Sequence, residues 1–513
     1  MKYSLSIFLL LLSIFGFSQN KSNAYDKQFK SANKMLEVGD FIGANKVYTQ
    51  LIAQDSLDKH LRFNMGVCEF NLKNYDKAKN HFSKSSSSVS LELFRYKAAI
   101  AHQNMKFKKA YNFYNAYKII SGKKDFTNEE INRQIKKIKY AELALKDRRN
   151  VLISNLGSTI NTKYPEYVPL IAADESMLLF TSRRPGSTGG KLDPYDRPFE
   201  DIYISINKDN TWQTPKKLPE GINTETNDAC VGLSADGQAL FIFRTNPDLF
   251  SGDLYESRMG LEEWGTPVKL GSDINSEYLE TSACITLDDK VLYFSSDRPG
   301  GFGGKDLYKV VRLPNGKWSR SINLGPTINT PFDEDAPFIH TDNVSLYFSS
   351  TGHQNMGGYD IFKSTLEGRT WSEPENLKYP INTVGDDIFF VLAASGKVGY
   401  YSSSKKSGKG SQDIYKVILK DEMTKQYVLK ARIISNKKGV TPAAKITLIE
   451  NESKKVKGIY RPNSSTGNFI LLVDPEKTYN VVVEAHNFYP LTSELDYDIK
   501  SKKVIEFKLE QKK

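Results

Sequence analysis

Carboxylates that recur at one fixed place are the residues of this sequence best suited to chemistry. Each of five similar segments carries one: Glu166, Asp228, Glu280, Glu334 and Asp387. A ring of five carboxylates could hold a cation or a basic ligand at the mouth of a channel. A turn could instead use each acid to accept backbone N–H groups. The structural role is favoured, because a need of the fold recurs with every copy of a repeat and a ligand rarely contacts all of them.

No catalytic set accompanies these acids. The six histidines lack the spacing of metal ligands. The sequence also contains no Gly-x-Ser-x-Gly elbow, no phosphate-binding loop and no calcium-loop pattern. We therefore predict no catalytic, cofactor-binding or metal-binding residue, no cofactor, and no enzymatic activity.

A repeated module of roughly fifty residues positions the acids. Each acid follows an Ile-Asn marker by five residues, and the markers stand at residues 160–161, 222–223, 274–275, 328–329 and 381–382. An aromatic run and an Asp-apolar-aromatic triplet, such as residues 306–308, come next. Four short strands per module, divided by Gly, Pro, Asn and Asp turns, predict a β-propeller over residues 150–420. Five blades are expected, with a degenerate sixth blade as the alternative.

Four of the modules contain a tryptophan, and these are the only tryptophans in the chain: Trp212, Trp264, Trp318 and Trp371. We interpret them as packing between blades rather than as platforms for sugars. The fifth module ends before that strand, whereas residues 151–157 match the piece that precedes the later markers. The N-terminal piece is therefore predicted to supply the outer strand of the last blade, which leaves no unpaired edge.

Only the first module carries an insertion, at residues 191–200. A unique loop on a repetitive scaffold is a better candidate for binding than any repeated residue. We predict that a partner contacts this loop through five of its side chains: Asp193, Tyr195, Asp196, Arg197 and Phe199.

The flanking regions complete a multidomain α + β chain. A short basic start and an apolar run make residues 1–18 a predicted signal peptide, cleaved near Ser18. Residues 19–149 repeat an aromatic-Ala-aromatic pattern from Phe41, Tyr75 and Phe107 at a period near 34, which predicts a helical solenoid of tetratricopeptide type. Residues 421–513 alternate apolar and polar side chains between turns, as in a small β-sandwich.

Charge is divided unevenly between these regions. The chain carries +11 in total, and residues 19–150 hold 26 Lys and Arg against 13 Asp and Glu. With Lys2 of the signal peptide set aside, the remainder carries −3. The basic character therefore belongs to the helical domain, where it indicates an acidic partner, an anionic lipid or a solvated surface. Nucleic acid is not expected as a partner of an exported chain, and no transmembrane segment is expected after signal removal.

These modules resemble the WD40-like repeats of the TolB type. The C-terminal stretch is similar to the carboxypeptidase regulatory-like domain, through its Ser-Thr-Gly-Asn-Phe turn at residues 465–469 and the strand that begins at Tyr479. Tetratricopeptide repeats followed by these two domains resemble periplasmic proteins of the Bacteroidota, in particular the OmpA-family component of the type IX secretion system, here without the OmpA-like domain.

The resemblance implies a non-enzymatic scaffold or adaptor in the periplasm. It would associate with the outer membrane, bind protein partners such as an outer-membrane β-barrel or a lipoprotein complex, and serve type IX secretion or gliding. The alternative is an envelope protein that binds glycan or peptidoglycan.

Overall fold

The computed structural model describes residues 23–86, 88–121, 126–193, 196–260, 263–420, 426–436, 441–463, 466–498 and 503–512. The predicted signal peptide lies outside these residues. The chain divides into two compact units, of which one ends at Lys146 and the other runs from Asp147 to Lys513. The first unit is helical and the second consists of antiparallel sheets, so the predicted α + β composition is confirmed. Within the described residues, no helix combines the length and the apolar character needed to cross a membrane.

Seven helices make up the described part of the first unit, and consecutive helices pack on one another. Their bounds are α1 (Asn23–Glu37), α2 (Phe41–Ile52), α3 (Lys59–Asn71), α4 (Tyr75–Ser83), α5 (Glu92–Gln103), α6 (Phe107–Ser121) and α7 (Phe126–Ala144).

Small and aromatic residues set the distance between these helices, as their spacing predicts. Ala44 and Ala78 are fully buried, and the Phe82 ring is almost so. A Cβ added to Gly66 would lie 2.5 Å from that ring, which is closer than carbon atoms approach. The small residue on one helix and the ring on the next therefore occupy the same narrow space.

Five antiparallel sheets follow in the described part of the second unit. Sheet 1 contains β2 (Glu166–Ile171), β3 (Met177–Ser182), β4 (Asp201–Lys208), β5 (Thr211–Trp212) and β6 (Lys216–Lys217). Sheet 2 contains β7 (Asp228–Leu233), β8 (Ala239–Thr245), β9 (Gly252–Arg258) and β10 (Val268–Lys269). Sheet 3 contains β11 (Glu280–Ile285), β12 (Val291–Ser296), β13 (Asp306–Val311) and β14 (Ile322–Asn323). Sheet 4 contains β15 (Glu334–Ile339), β16 (Ser345–Ser350), β17 (Asp360–Glu367), β18 (Thr370–Trp371) and β19 (Glu375–Asn376). Sheet 5 contains β20 (Asp387–Leu392), β21 (Val398–Ser403), β22 (Asp413–Leu419) and, as its outer strand, β1 (Val151–Asn155).

The first strands of these sheets contact one another in a closed cycle, from β2 through β7, β11, β15 and β20 back to β2. This is the arrangement of a β-propeller. Strand β1 pairs antiparallel with β22, with Val151 opposite Leu419 and Asn155 opposite Tyr415. The prediction that the N-terminal piece supplies the outer strand of the last sheet is therefore confirmed.

Two further sheets follow the fifth. One contains β26 (Asn468–Val473), β23 (Tyr427–Ser435) and β29 (Ile505–Leu509), and the other contains β25 (Val456–Tyr460), β24 (Ala444–Glu450), β27 (Tyr479–Ala485) and β28 (Leu491–Glu494). Alternate residues of β23, β24 and β27 are buried in one shared hydrophobic cluster. The alternating pattern of the sequence therefore marks the faces that meet.

Candidate functional site

The five recurring acids open the first strand of their sheets, and all are fully buried. In sheet 5 the backbone N–H and the hydroxyl of Thr383 donate to Asp387 at 2.6 and 2.7 Å. The same two bonds recur in the other four sheets, where the donors are Thr162, Thr224, Ser276 and Thr330. Each acid thus holds the turn that leads into its sheet, at a depth that solvent does not reach.

A repeated cation, which sequence analysis missed, lies beside the acids of sheets 1 to 3. In sheet 3 the Arg298 guanidinium lies 3.0 Å from the Glu280 carboxylate. It also donates to the carbonyl of Ile274 and stacks over the rings of Phe294 and Tyr308. Sheets 1 and 2 place Arg184 and Arg244 in the same way. The signal was present in the sequence, as a basic residue 16 or 18 positions after the acid.

Sheet 4 departs from this pairing, because His353 occupies the place of the arginine. Its Nε2 lies 2.8 Å from the carbonyl oxygen of Ile328. Among the described residues, no Lys or Arg forms an ion pair with Glu334. Burial without a compensating cation raises the pKa of Glu334 to about 7, against hydrogen bonds from Ser350 and Thr330 that lower it.

The tryptophans pack between neighbouring sheets, as the sequence predicts. Trp212 lies edge-on to Tyr400 of sheet 5, and Trp371 lies edge-on to Tyr293 of sheet 3, with ring centroids 6.0 Å apart in both pairs. Trp264 and Trp318 pair with the residue that follows the third strand of their own sheets, and they belong to hydrophobic clusters that include residues of sheets 1 and 2, respectively.

The insertion of the first module folds around a buried carboxylate. Asp193 accepts from the backbone N–H and the Nε of Arg197 at 3.0 and 2.8 Å, and its Oδ2 lies 3.4 Å from Arg183. Phe199 is buried as well, whereas Asp196 and Arg197 are exposed. Tyr195 lies outside the described residues. Contact between a partner and this loop stays a prediction. Among the predicted residues that the structure describes, Asp196 and Arg197 face solvent.

The turns between the first and second strands form one end of the propeller, which we call the covered face. Ala173, Leu287 and Ala394 of these turns are buried in the hydrophobic cluster of the C-terminal sheets. Arg461 of the C-terminal region pairs with Asp289 at 2.9 Å. The C-terminal sheets therefore occupy this end.

The opposite end, which we call the open face, carries the loops between second and third strands and the turns held by the recurring acids. Every propeller aromatic that is more than about a third exposed lies here, within the described residues. Together they form an aromatic arc over sheets 2 to 4, with exposed fractions of 85% for Phe250, 39% for Tyr278, 48% for Phe302 and 36% for Phe332.

Tight backbone packing joins two members of the arc. The N–H of Gly304 donates to the carbonyl of Phe332 at 3.0 Å. A Cβ at Gly303 would lie 2.0 Å from that same carbonyl oxygen, so only glycine lets the loops approach. One residue further in, the N–H of Lys305 donates to Asp333 at 3.0 Å. The loop thus leads from exposed rings at the rim to charged groups at the centre.

An ion pair stands at the inner end of this path. The Lys305 ammonium lies 2.8 Å from Asp335 and donates to the Thr281 hydroxyl at 3.0 Å. Half-buried Tyr359 lies near the same carboxylates: burial and the charges of Asp335 and Asp333 raise its pKa. Rings at the rim and hydrogen-bonding groups at the centre together make a shallow polar and aromatic site.

Beneath this site the channel is apolar and almost filled. A cavity of about 20 Å³ is lined by the first strands, through residues such as Val168, Val231, Ala283, Pro337 and Phe389. That volume is about one water molecule, and its walls offer few hydrogen-bonding groups. Among the described residues, no three His, Cys, Asp or Glu side chains are placed to hold a metal ion. A ligand would therefore lie on the open face rather than inside the channel.

Comparison with known proteins identifies related architectures only. No family model and no curated protein matches the chain. One similar structure, a BT0996 RGII complex, is 9% identical over 56% of this chain and 96% of its own length, with a TM-score of 0.40. An α-L-arabinofuranosidase from Lactobacillus brevis is 12% identical over 54% and 95%, with a TM-score of 0.32. An endo-arabinase from Bacteroides thetaiotaomicron is 12% identical over 52% and 97%, with a TM-score of 0.33.

Two expectations from the sequence are corrected by this finding. The sequence predicts a non-enzymatic scaffold for protein partners, whereas the similar structures are mostly glycoside hydrolases. The prediction of a non-enzymatic chain is overturned by the same structures. The sequence-based alternative, a glycan-related function, agrees with them better. All of these TM-scores are 0.40 or below, so the activity of this chain has to be argued from its own side chains.

Proposed function

We propose that the chain binds a glycan on its open face, along the path from the aromatic arc to the Lys305–Asp335 pair. The observation that carries this proposal is the aromatic arc itself. Exposed rings grouped on one side of a protein mark a binding surface. A flat ring offers apolar area to the C–H face of a sugar, and adjacent carboxylates and amines exchange hydrogen bonds with its hydroxyl groups.

The two ends of the propeller support this choice of surface. The covered face already contacts the C-terminal sheets through Leu287 and Asp289. The open face presents Phe302 and Phe332 to solvent, beside the partly exposed Asp333. A polymer that runs over the surface needs such a shallow, open path, and it does not need the closed apolar channel.

The test is binding of the full chain to immobilised polysaccharides and to purified peptidoglycan sacculi. A double variant, Phe302→Ala with Phe332→Ala, should weaken binding at least about tenfold, because it removes two rings that would contact the ligand. Tyr489→Ala removes an exposed ring from the C-terminal sheets and is the matched control. Equal binding by all three proteins would overturn the proposal.

Hydrolysis should be measured in the same samples, as release of new reducing ends. Cleavage that disappears in the Phe302→Ala, Phe332→Ala double variant would extend the proposal from binding to catalysis. Binding without cleavage would leave it at recognition.

We further propose the finer architecture that the sequence predicts. The helical unit would be a tetratricopeptide solenoid, the five sheets a five-bladed TolB-like propeller, and the C-terminal sheets a carboxypeptidase regulatory-like β-sandwich. An exported chain, associated with the outer membrane, would meet envelope glycans there, peptidoglycan included. Cell fractionation and N-terminal sequencing of the mature protein test the location and the cleavage near Ser18.

A protein partner stays a separate prediction. Crosslinking in intact envelopes followed by mass spectrometry would show whether an outer-membrane β-barrel or a lipoprotein lies next to the chain. Recovery of neither would contradict this prediction without bearing on glycan binding.

A further inference from the structure

One ion pair on the open face has no equivalent in the rest of the repeat. The residue just before the recurring Asp of the third strand is a lysine, Lys305, only in sheet 3; the other sheets place Glu200, Gly252, Tyr359 and Gln412 there. The residue just after the recurring acid is Asp335 only in sheet 4; the other sheets place Tyr167, Ala229, Thr281 and Ile388 there. A structural need of the fold would recur in every sheet, as the buried acids do. This pair occurs once, which points to a role of its own.

Several further hydrogen bonds support the Lys305–Asp335 pair. Besides Lys305, three groups donate hydrogen bonds to the Asp335 carboxylate. They are the Ser282 hydroxyl at 2.5 Å, the backbone N–H of Ala336 at 2.7 Å, and the Thr281 hydroxyl. The Asp335 side chain is 7% exposed and the Lys305 side chain is 26% exposed. Burying two charges is a poor way to gain stability, because the loss of hydration offsets their attraction. The Asp335 carboxylate is therefore held inside, and part of the Lys305 side chain faces the solvent.

The carboxylates around this ammonium outnumber it. Burial alone would lower the pKa of Lys305, but the charges of Asp335, Asp333 and Asp297 raise it above its ordinary value. Burial alone would raise the pKa of Asp335, yet Lys305 holds it below its ordinary value. Both groups are thus charged at neutral pH, and the positive charge of the site is fully cancelled. An N–H donor in such surroundings suits a sugar hydroxyl, whereas a carboxylate or sulfate would meet net negative charge.

We propose that Asp335 determines the specificity of the open-face site: by neutralising the Lys305 ammonium, it makes the site accept neutral glycans and reject anionic ones. The inference rests on the proposed function and names the class of its ligand. Asp335 is too buried to contact a glycan, so it acts through Lys305, which is the residue that touches the ligand.

The test is a gain of binding in Asp335→Asn, which keeps the shape of the side chain and removes its charge. The probe is polygalacturonate, compared with its neutral methyl ester. Asp335→Asn should bind polygalacturonate roughly two- to fivefold more tightly than the wild type at low salt, because a partly exposed ion pair contributes up to about 1 kcal/mol. The gain should shrink as salt is raised toward about 0.5 M, where screening is strong.

Two controls isolate the cause. Asp209→Asn removes one negative charge from an exposed turn at the other end of sheet 1 and should give no gain. Lys305→Gln combined with Asp335→Asn should abolish the gain, because the freed ammonium is then missing. An equal gain in Asp209→Asn, or a gain that survives in the double variant, would overturn the inference. The basic helical unit contributes the same background to every variant.

Lys305→Gln alone keeps the inference testable if Asp335→Asn folds poorly. It should weaken binding of the neutral methyl ester, or of whichever neutral glycan the wild type retains, by roughly fivefold. Wild-type affinity in this variant would show that Lys305 does not contact the ligand, and the inference would fall. Loss of binding in the Phe302→Ala, Phe332→Ala variant, with no gain in Asp335→Asn, would leave the proposed function standing and refute the specificity role alone.

Discussion

The two ends of the propeller differ in the interactions that stabilise their turns. At the open face each sheet buries a carboxylate, and three sheets place a half-buried arginine beside it, as in the Arg298–Glu280 pair. At the covered face the turns bury Ala173, Leu287 and Ala394 against the C-terminal sheets. The same repeat therefore gives one end stabilised by charge and hydrogen bonds and another stabilised by apolar contact. Because the turns of the open face are stabilised by their own hydrogen bonds, the aromatic rings at this end can remain exposed to a ligand.

The largest expected effect comes from breaking a buried charge pair at the open face. Arg298→Met leaves the fully buried Glu280 without its cation and should lower the free energy of unfolding by about 3–5 kcal/mol. His353→Met changes the same place in sheet 4, but His353 forms no ion pair with Glu334. This variant should therefore lower the free energy of unfolding by no more than about 1.5 kcal/mol. Urea unfolding of the two variants measures the difference. Equal losses would show that the repeated cation does not compensate its acid.

A second prediction concerns sheet 4, where no Lys or Arg of the described part of the chain forms an ion pair with Glu334. The folded-state pKa of Glu334, about 7, lies above its ordinary value of 4.5. Stability contributed by the protonated form is therefore complete below about pH 4.5 and is lost as the pH rises to about 7. This group alone should lower the free energy of unfolding by about 3 kcal/mol across that range.

Glu334→Gln removes this titration. Its melting temperature relative to the wild type should rise steadily from pH 5 to pH 8, since the variant cannot ionise at this site. A difference between the two proteins that stays constant with pH would contradict the assigned cause.

A smaller effect is expected at the covered face. Arg461→Ala breaks the partly exposed pair with Asp289 and should lower the free energy of unfolding by about 1 kcal/mol. Glycan binding should not change, because the contact lies at the other end of the strands. Lys430→Ala, an exposed position on the C-terminal sheets, is the control for stability. A loss of binding in Arg461→Ala would show that the two ends do not act separately.

The smallest effect on stability is expected from the aromatic arc. Phe302→Ala should change the free energy of unfolding by no more than about 0.5 kcal/mol, because the ring is half exposed. The same change should weaken glycan binding clearly. Thermal unfolding and binding measured on one preparation separate the two roles, and a large loss of stability would mean that the ring serves packing instead.

Much of the propeller could be predicted from spacing alone. The Ile-Asn markers and the acids five residues later identify the start of each sheet, and the unmatched ends of the repeat predict that β1 pairs with β22. The recurring cation was also visible in the sequence, but its spacing varies between 16 and 18 residues, which hides it from a fixed-interval search. The predicted contact loop was found as an insertion, yet the burial of Asp193 and Phe199 was not readable from their residue types.

The amino-acid sequence alone is enough to predict the number and order of the modules, the helical pattern before them and the alternating strands after them. These features are local, since they depend on residues a few positions apart and on the periods of helix and strand. Three other features depend on the tertiary structure: the end of the strands that stays open, the contact of Lys305 with Asp335 thirty residues further along, and the lack of an ion pair at Glu334 within the described residues. Such contacts join residues from different sheets. They depend on loop paths and on the shift of register just after each recurring acid, which local patterns do not encode.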